Sequence, residues 1–249
     1  MKLTKETQYI RSVGLEKIED NEFPFSLPAV QSLQDELIFH PNVTYVVGEN
    51  GMGKSTLLEG IAGTLGMNPE GGTKNFNFSS YDSHSNLHQY LKLTRGVHRP
   101  DDSFFFRAET YYNLATNIEA LDQEGFGPKI IDSFGGKSLH QQSHGESFFA
   151  TFMYRFQGRG LYILDEPEAA LSPIRQLSML TRIHELVQEG SQLIISTHSP
   201  ILMAYPEARI MQLNADSMRE VTLEETDHYV TMKQFFEDKD RLLHHLLKN

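Results

Sequence analysis

The sequence predicts an α/β fold: a mostly parallel sheet flanked by helices, with an N-terminal antiparallel sheet and a small inserted lobe. Three observations carry that prediction. The apolar run Val43-Thr44-Tyr45-Val46-Val47 leads into a glycine-rich turn and then a helix-forming stretch, Thr56-Leu57-Leu58-Glu59-Gly60-Ile61-Ala62. Two further apolar runs, residues 161–164 and 192–196, are continuous rather than alternating, as in strands covered on both faces. A helical pattern over 172–189 lies between them, and strand–helix–strand in one sheet implies a right-handed crossover with ligands at the strands' carboxyl ends.

Along the chain, residues 9–15 and 37–47 read as strands on either side of the proline-containing segment 23–28. After the first helix, residues 68–103 are rich in Gly, Asn, Ser, His and Asp without a sustained period, and read as long loops. A short buried strand is expected at 103–106, a helix at 111–121, a second loop at 124–142 and a helix at 146–156. The tail reads as strands at 209–213 and 220–225 and one amphipathic helix over 229–247. No internal repeat is evident, so residues 1–249 are expected to form one domain with an inserted lobe at about 68–158.

Composition narrows the function. With 22 Lys and Arg against 33 Asp and Glu, the net charge of −11 argues against broad attraction to nucleic acid or anionic lipid. A chain without cysteine has neither disulfides nor thiolate metal sites, which fits a reducing cytoplasm. No apolar stretch approaches the roughly 18 residues of a membrane span, and residues 1–20 lack the apolar middle of a secretory signal.

The chemistry concentrates at three places. Gly48-Glu49-Asn50-Gly51-Met52-Gly53-Lys54-Ser55-Thr56 fits the phosphate-cradle template through Gly48, Gly53, Lys54 and Ser55. Its glycines let backbone N–H groups close on a phosphate, Lys54 reaches the β/γ oxygens, and the Ser55 hydroxyl can ligate Mg2+. A nucleoside triphosphate is the expected ligand. Asp165-Glu166 ends a buried strand, where Asp165 can hold Mg2+ through water and Glu166 can orient or deprotonate an attacking water. His198, at the end of the next strand, can hydrogen-bond the γ-phosphate or that water.

Other residues carry two readings each. Ser143 with Glu146 three positions on makes a capping box that opens the following helix. Glu109 can approach Mg2+, while Arg107 can face phosphate or pair with an acid. Tyr9 or Phe25 can stack on a base or pack in the core. Arg95, His98 and Arg99 form a small basic cluster that can meet a phosphate backbone or face solvent.

Together, residues 48–56, Asp165-Glu166-Pro167 and His198 resemble the Walker A, Walker B and switch-histidine elements of ABC-type ATPases, a P-loop NTPase group. Gln142-Ser143-His144-Gly145-Glu146-Ser147 matches that group's signature at Ser143 and Gly145, but not at its leucine, first glycine or glutamine. The resemblance implies ATP, Mg2+ and an ATP-dependent head-to-tail homodimer in which Ser143 and Gly145 of one copy cap the phosphates held by the other. Ala170-Leu171-Ser172-Pro173 lacks the acid the group carries after Walker B.

The stretch from Ser55 to Ser143 is too short and loop-rich for a coiled-coil insertion, so the chain resembles small, stand-alone bacterial ATPases of the ABC/AAA type. Three functions follow as expectations. The first is a Mg-dependent ATP hydrolase that drives conformational change in a protein partner. The second is a slow or non-hydrolysing nucleotide-gated module for nucleic acid or protein. The third is a transporter ATPase subunit, itself without membrane insertion.

Overall fold

The computed structural model describes residues 1–16, 22–69, 71–72, 85–109, 111–124, 129–136 and 144–248. In chain order the elements are β1 (Ile10–Leu15), α1 (Pro28–Gln31), β2 (Leu37–Ile38), β3 (Val43–Val47), α2 (Lys54–Thr64), β4 (Leu91–Arg95) and β5 (Asp102–Arg107). They continue with α3 (Tyr111–Glu124), α4 (His144–Ala150), β6 (Gly160–Asp165), α5 (Pro173–Gln188), β7 (Gln192–Ser196) and α6 (Pro200–Met203). The chain closes with β8 (Ala208–Leu213), β9 (Met218–Val221), α7 (Asp227–Glu237) and α8 (Lys239–Leu246).

Two sheets result. A six-stranded sheet runs β5-β6-β7-β3-β8-β9, parallel except for the β8–β9 pair, and a three-stranded antiparallel sheet runs β2-β1-β4. The central strands are apolar on both faces because both faces are covered. Tyr45, Val47, Phe104, Phe106, Tyr162, Leu164, Leu193 and Ile195 pack into one core. Their alternating neighbours Val46, Phe105, Leu161, Ile163 and Ile194 pack into the other, with Leu57, Leu58 and Ile61 of α2. On the first face, aromatic contacts fasten α3 and α4 to the sheet: Phe148 meets Phe106 edge-on at 4.2 Å, and Tyr111 lies 5.4 Å from Phe106.

Several expected boundaries moved. The 37–47 stretch is two strands in two sheets, because His40-Pro41 interrupts it: proline supplies no N–H for a ladder, and the His40 N–H turns to Thr44 Oγ1 at 2.8 Å. The 68–103 stretch contains β4, whose Leu91 and Leu93 alternate with Lys92 and Thr94 in strand period. Helical hydrogen bonding after Glu146 remains α-type only to Ala150 and widens to a π-turn over Thr151–Arg155. The tail helix is two helices, broken at Asp238, which leaves helical geometry (φ −146°) and caps α8 by accepting from Arg241 N. Among the described residues no helix is long and apolar enough to cross a membrane.

Candidate nucleotide site at the strand ends

Register builds the site. Pairing sets Arg107 beside Asp165, Asp165 beside Ser196, and Ser196 beside Val46, so the carboxyl ends of β5, β6, β7 and β3 form one row. β3 delivers the chain to Gly48 (φ 150°), where a Cβ would lie 2.9 Å from Leu213 Cβ. At Gly53 (φ 88°) a Cβ would lie 2.9 Å from Leu27 Cβ, so both ends of the loop require glycine. Gly51 (φ 81°) faces open space, and Glu49 and Asn50 are exposed. Lys54 opens α2, with Ser55 and Thr56 in its first turn, so the helix's unpaired N–H groups and positive dipole end face the loop. The buried Lys54 ammonium donates to Gly48 O at 2.8 Å and Glu49 O at 2.9 Å, cinching the loop around its own stem. Burial pulls its pKa down, opposed by the carboxylates of Glu166, Asp165 and Glu168.

Asp165 is buried at the end of β6 and accepts from Ser196 Oγ and, at 3.2 Å, from Ser55 Oγ, both on Oδ1. Burial raises its pKa against those two hydrogen bonds and the nearby Arg107 guanidinium. Glu166, one residue on, sits in the left-handed region at φ 49°, a conformation that costs a non-glycine residue about 1–2 kcal/mol. Two hydrogen bonds hold it there, from Glu166 N to Ser196 O (3.1 Å) and to Ser196 Oγ (3.2 Å). Strained residues held this way cluster at functional sites. Glu166 Oε1 faces His198 Nε2 at 3.3 Å. A cleft of about 590 Å3 opens over these groups, lined among others by Asn50, Gly51, Ser55, Asp165, Glu166 and Phe148. Its size suits a small-molecule ligand, and its chemistry suits a polyanion with a hard cation: a glycine cradle at a helix N-terminus, an ammonium, and two oxygen donors 3.2 Å apart.

Comparison with known proteins agrees with that chemistry. Residues 138–204, spanning β6 and β7, match the family model "AAA domain, putative AbiEii toxin, Type IV TA system". The chain is similar to the "ABC transporter G family member STR2" of Medicago truncatula, 27% identical over 176 residues, 64% of this chain and 24% of that protein. It thus spans about a quarter of that relative's length. It is also similar to a "Putative ABC transporter ATP-binding protein" of Caldanaerobacter subterraneus subsp. tengcongensis, 26% identical over 184 residues, 69% of this chain and 76% of that one. Among solved structures it shares the fold of cbiO1 from Clostridium perfringens, part of the ABC transporter complex cbiONQ. That match has a TM-score of 0.51 and 16% identity, over 96% of this chain and 99% of the other. By sequence and by fold the chain is similar to ABC-type ATPases of the P-loop NTPase group.

In this chain the signature-like segment is described only from α4 onward: Ser143 lies outside the described residues. Gly145 sits in the first turn of α4, where a Cβ would come within 2.4 Å of Ala170 O. Only a glycine lets that turn approach the segment following β6. Glu146 extends the contact toward Arg175 at 3.6 Å. Glu109 is exposed at the cleft and pairs with Arg107 at 2.8 Å. Arg107 in turn lies 3.4 Å from Glu59 and 3.7 Å from Asp165. Tyr9 and Phe25 are core residues: the Tyr9 hydroxyl donates to Gly190 O, and Phe25 meets Tyr90 edge-on. Arg95, His98 and Arg99 are exposed.

Three contributors escaped the sequence reading. Ser196 bonds both members of the acidic pair, and its place at the end of an apolar run was a usable signal. Glu168 accepts the His198 backbone N–H at 2.6 Å and so holds the histidine's loop. His228, in the first turn of α7, lies with its Nε2 2.8 Å from His198 Nδ1, and nothing local in the sequence announces it.

Proposed function

We propose that this ATPase hydrolyses Mg-ATP between two copies of the chain arranged head to tail, in the cytoplasm, and that closing and reopening of the pair drives a partner protein. In this reading Gly48, Glu49, Asn50, Gly51, Gly53 and Thr56 wrap the phosphates with backbone N–H groups, and Lys54 exchanges its loop carbonyls for β/γ oxygens. Ser55 and Asp165 hold Mg2+, which when bound neutralises charge on the phosphate oxygens. Glu166 takes a proton from water as that water's oxygen bonds to the γ-phosphorus and the bond to the bridging oxygen breaks. His198 steadies Glu166 and the γ-phosphate, and Ser143 and Gly145 of the second copy cap the site.

The observation that carries the reading is Glu166, held at φ 49° beside a metal-competent Asp165–Ser55 pair and facing His198. Glu166→Gln keeps size and hydrogen bonding but removes the base. Turnover should fall by at least about 100-fold, with an ATP-bound dimer accumulating in light scattering. Undiminished turnover removes Glu166 from its role; lost turnover with no dimer at any ATP concentration removes the sandwich.

A second reading, the energising subunit of a transporter, is favoured by the transporter names of the relatives and of the structural neighbour. Here a separate membrane protein would be the partner, and its co-purification with the tagged chain separates the two readings. For a nucleic-acid partner the exposed Arg95, His98 and Arg99 speak, against a net charge of −11.

A further inference from the structure

The bond between His198 and His228 joins the proposed catalytic machinery to a part of the chain that the hydrolytic mechanism does not use. His198 Nδ1 and His228 Nε2 are 2.8 Å apart, with ring centroids at 5.0 Å and planes at 60°. One proton must lie between the two nitrogens, and the surroundings decide which ring supplies it. Among the described residues, His198 Nε2 and His228 Nδ1 are buried and make no hydrogen bond. The 3.3 Å approach of His198 Nε2 to Glu166 Oε1 is an ion-pair distance without hydrogen-bond alignment.

Suppose His198 donated through Nδ1. As neutral rings, His198 would then turn a bare lone pair on Nε2 toward a carboxylate oxygen, and His228 would carry its proton on Nδ1, a buried donor with no acceptor. A buried unsatisfied donor costs about 1–3 kcal/mol, and the lone-pair–carboxylate approach is repulsive as well. If His228 donates through Nε2, its own Nδ1 becomes a lone pair, the repulsion at Glu166 is removed, and the remaining N–H, on His198 Nε2, lies 3.3 Å from a carboxylate oxygen, an attractive approach that His228 Nδ1–H would lack. Burial also favours the neutral form of His228, as this arrangement requires.

The turn that carries His228 is held from the sheet. Asp227 clamps Gln212 of β8 at two points: its carboxylate accepts from Gln212 Nε2 at 3.0 Å, and its N–H donates to Gln212 Oε1 at 3.3 Å. Gln212 pairs with Val47, the last residue of β3 before the phosphate loop. Thr226 caps the same turn by accepting from Tyr229 N. Resting on the reading of Glu166 and His198 given above, we propose that His228 is a positioning residue that fixes His198 as the Nε2–H tautomer, a donor aimed at Glu166 and the γ-phosphate. Outer partners of this kind, set behind an imidazole, generally govern its tautomer and orientation.

Two measurements on the full chain test this. In the nucleotide-free protein, nitrogen-15 spectra of the imidazoles should show His198 protonated on Nε2. A wild-type His198 protonated on Nδ1 overturns the proposal whatever the enzyme does, so this arm is independent of the hydrolytic reading. In steady-state kinetics with Mg-ATP, His228→Phe, which keeps a ring but no donor, should lower kcat by about 10- to 100-fold with KM changed less than about twofold. His228→Gln, whose side-chain amide can donate in place of Nε2, should restore most of that loss. Equal activity of the Phe variant and wild type, or a Gln variant as impaired as Phe with the same His198 spectrum, overturns the proposal. Should the Phe variant fail to fold, the wild-type spectrum and the Gln variant still decide. Failure of the hydrolytic reading would instead appear as full turnover in Glu166→Gln.

Discussion

At the ends of β6, β7 and β3, polar groups are held from several sides: Asp165 by two hydroxyls, Glu166 by two hydrogen bonds, and Lys54 by two carbonyls. Along α7 and α8 no residue is buried, and Phe236 and Leu246 are 72% and 69% exposed. Yet these helices put one imidazole against the site through their first turn. The contrast teaches that precision here comes from long-range pairing at the sheet. The rest of the arm is stabilised locally, by caps and intrahelical bonds, and can change without disturbing the strand ends.

The largest effect that would sharpen this contrast is at Lys54. Charge-assisted hydrogen bonds are each worth about 1.5–3 kcal/mol, and Lys54→Ala removes two to the loop together with those proposed to phosphate. ATP affinity should fall by about 100-fold or more in calorimetric titration, while circular dichroism keeps its helical signal. Wild-type affinity in the variant would show that the cradle does not depend on its lysine.

How much of this was legible beforehand follows the same division. The phosphate loop, Asp165-Glu166 and His198 could be read because each is a contiguous strand-to-loop signal, and continuous apolar runs announced strands covered on both faces. Contacts formed between distant segments could not be read: Glu168 on the His198 loop, Arg107 against Glu59, and His228 behind His198. β4 was legible in principle from Leu91 and Leu93, but its short alternation sits among Gly, His and Ser residues that mimic a loop. In the tail, an amphipathic pattern continues across Asp238, so periodicity alone joined two helices that a side-chain cap separates.

A middle-sized effect concerns Glu168, which belongs to the over-determined side of the comparison. Burial raises its pKa above the ordinary 4.5, against hydrogen bonds from the His198 backbone, its own backbone and Thr197. For an acid with a raised folded pKa the sign is fixed: the folded state binds the proton more readily than the unfolded state. Its contribution to stability is therefore most favourable below pH 4.5 and declines as pH rises through the folded value. In Glu168→Gln that decline is absent. Whatever the offset between the two proteins, the difference in unfolding free energy should shift toward the variant as pH increases from about 4 to 8. Parallel stability–pH curves from denaturant titrations would mean that burial does not control this carboxyl.

The smallest effect tests the other side. Asp238 caps α8 by accepting from Arg241 N, and replacing such a cap with alanine costs about 1 kcal/mol locally. Because α8 buries nothing, Asp238→Ala should fray that helix, seen as faster amide exchange over residues 241–246, and leave ATP turnover within about twofold of wild type. A drop in kcat as large as that expected for His228→Phe would mean that α8 helps to hold α7 in place. The site would then depend on the whole arm rather than on its first turn, and the division between sheet and tail would have to be redrawn one helix further along the chain.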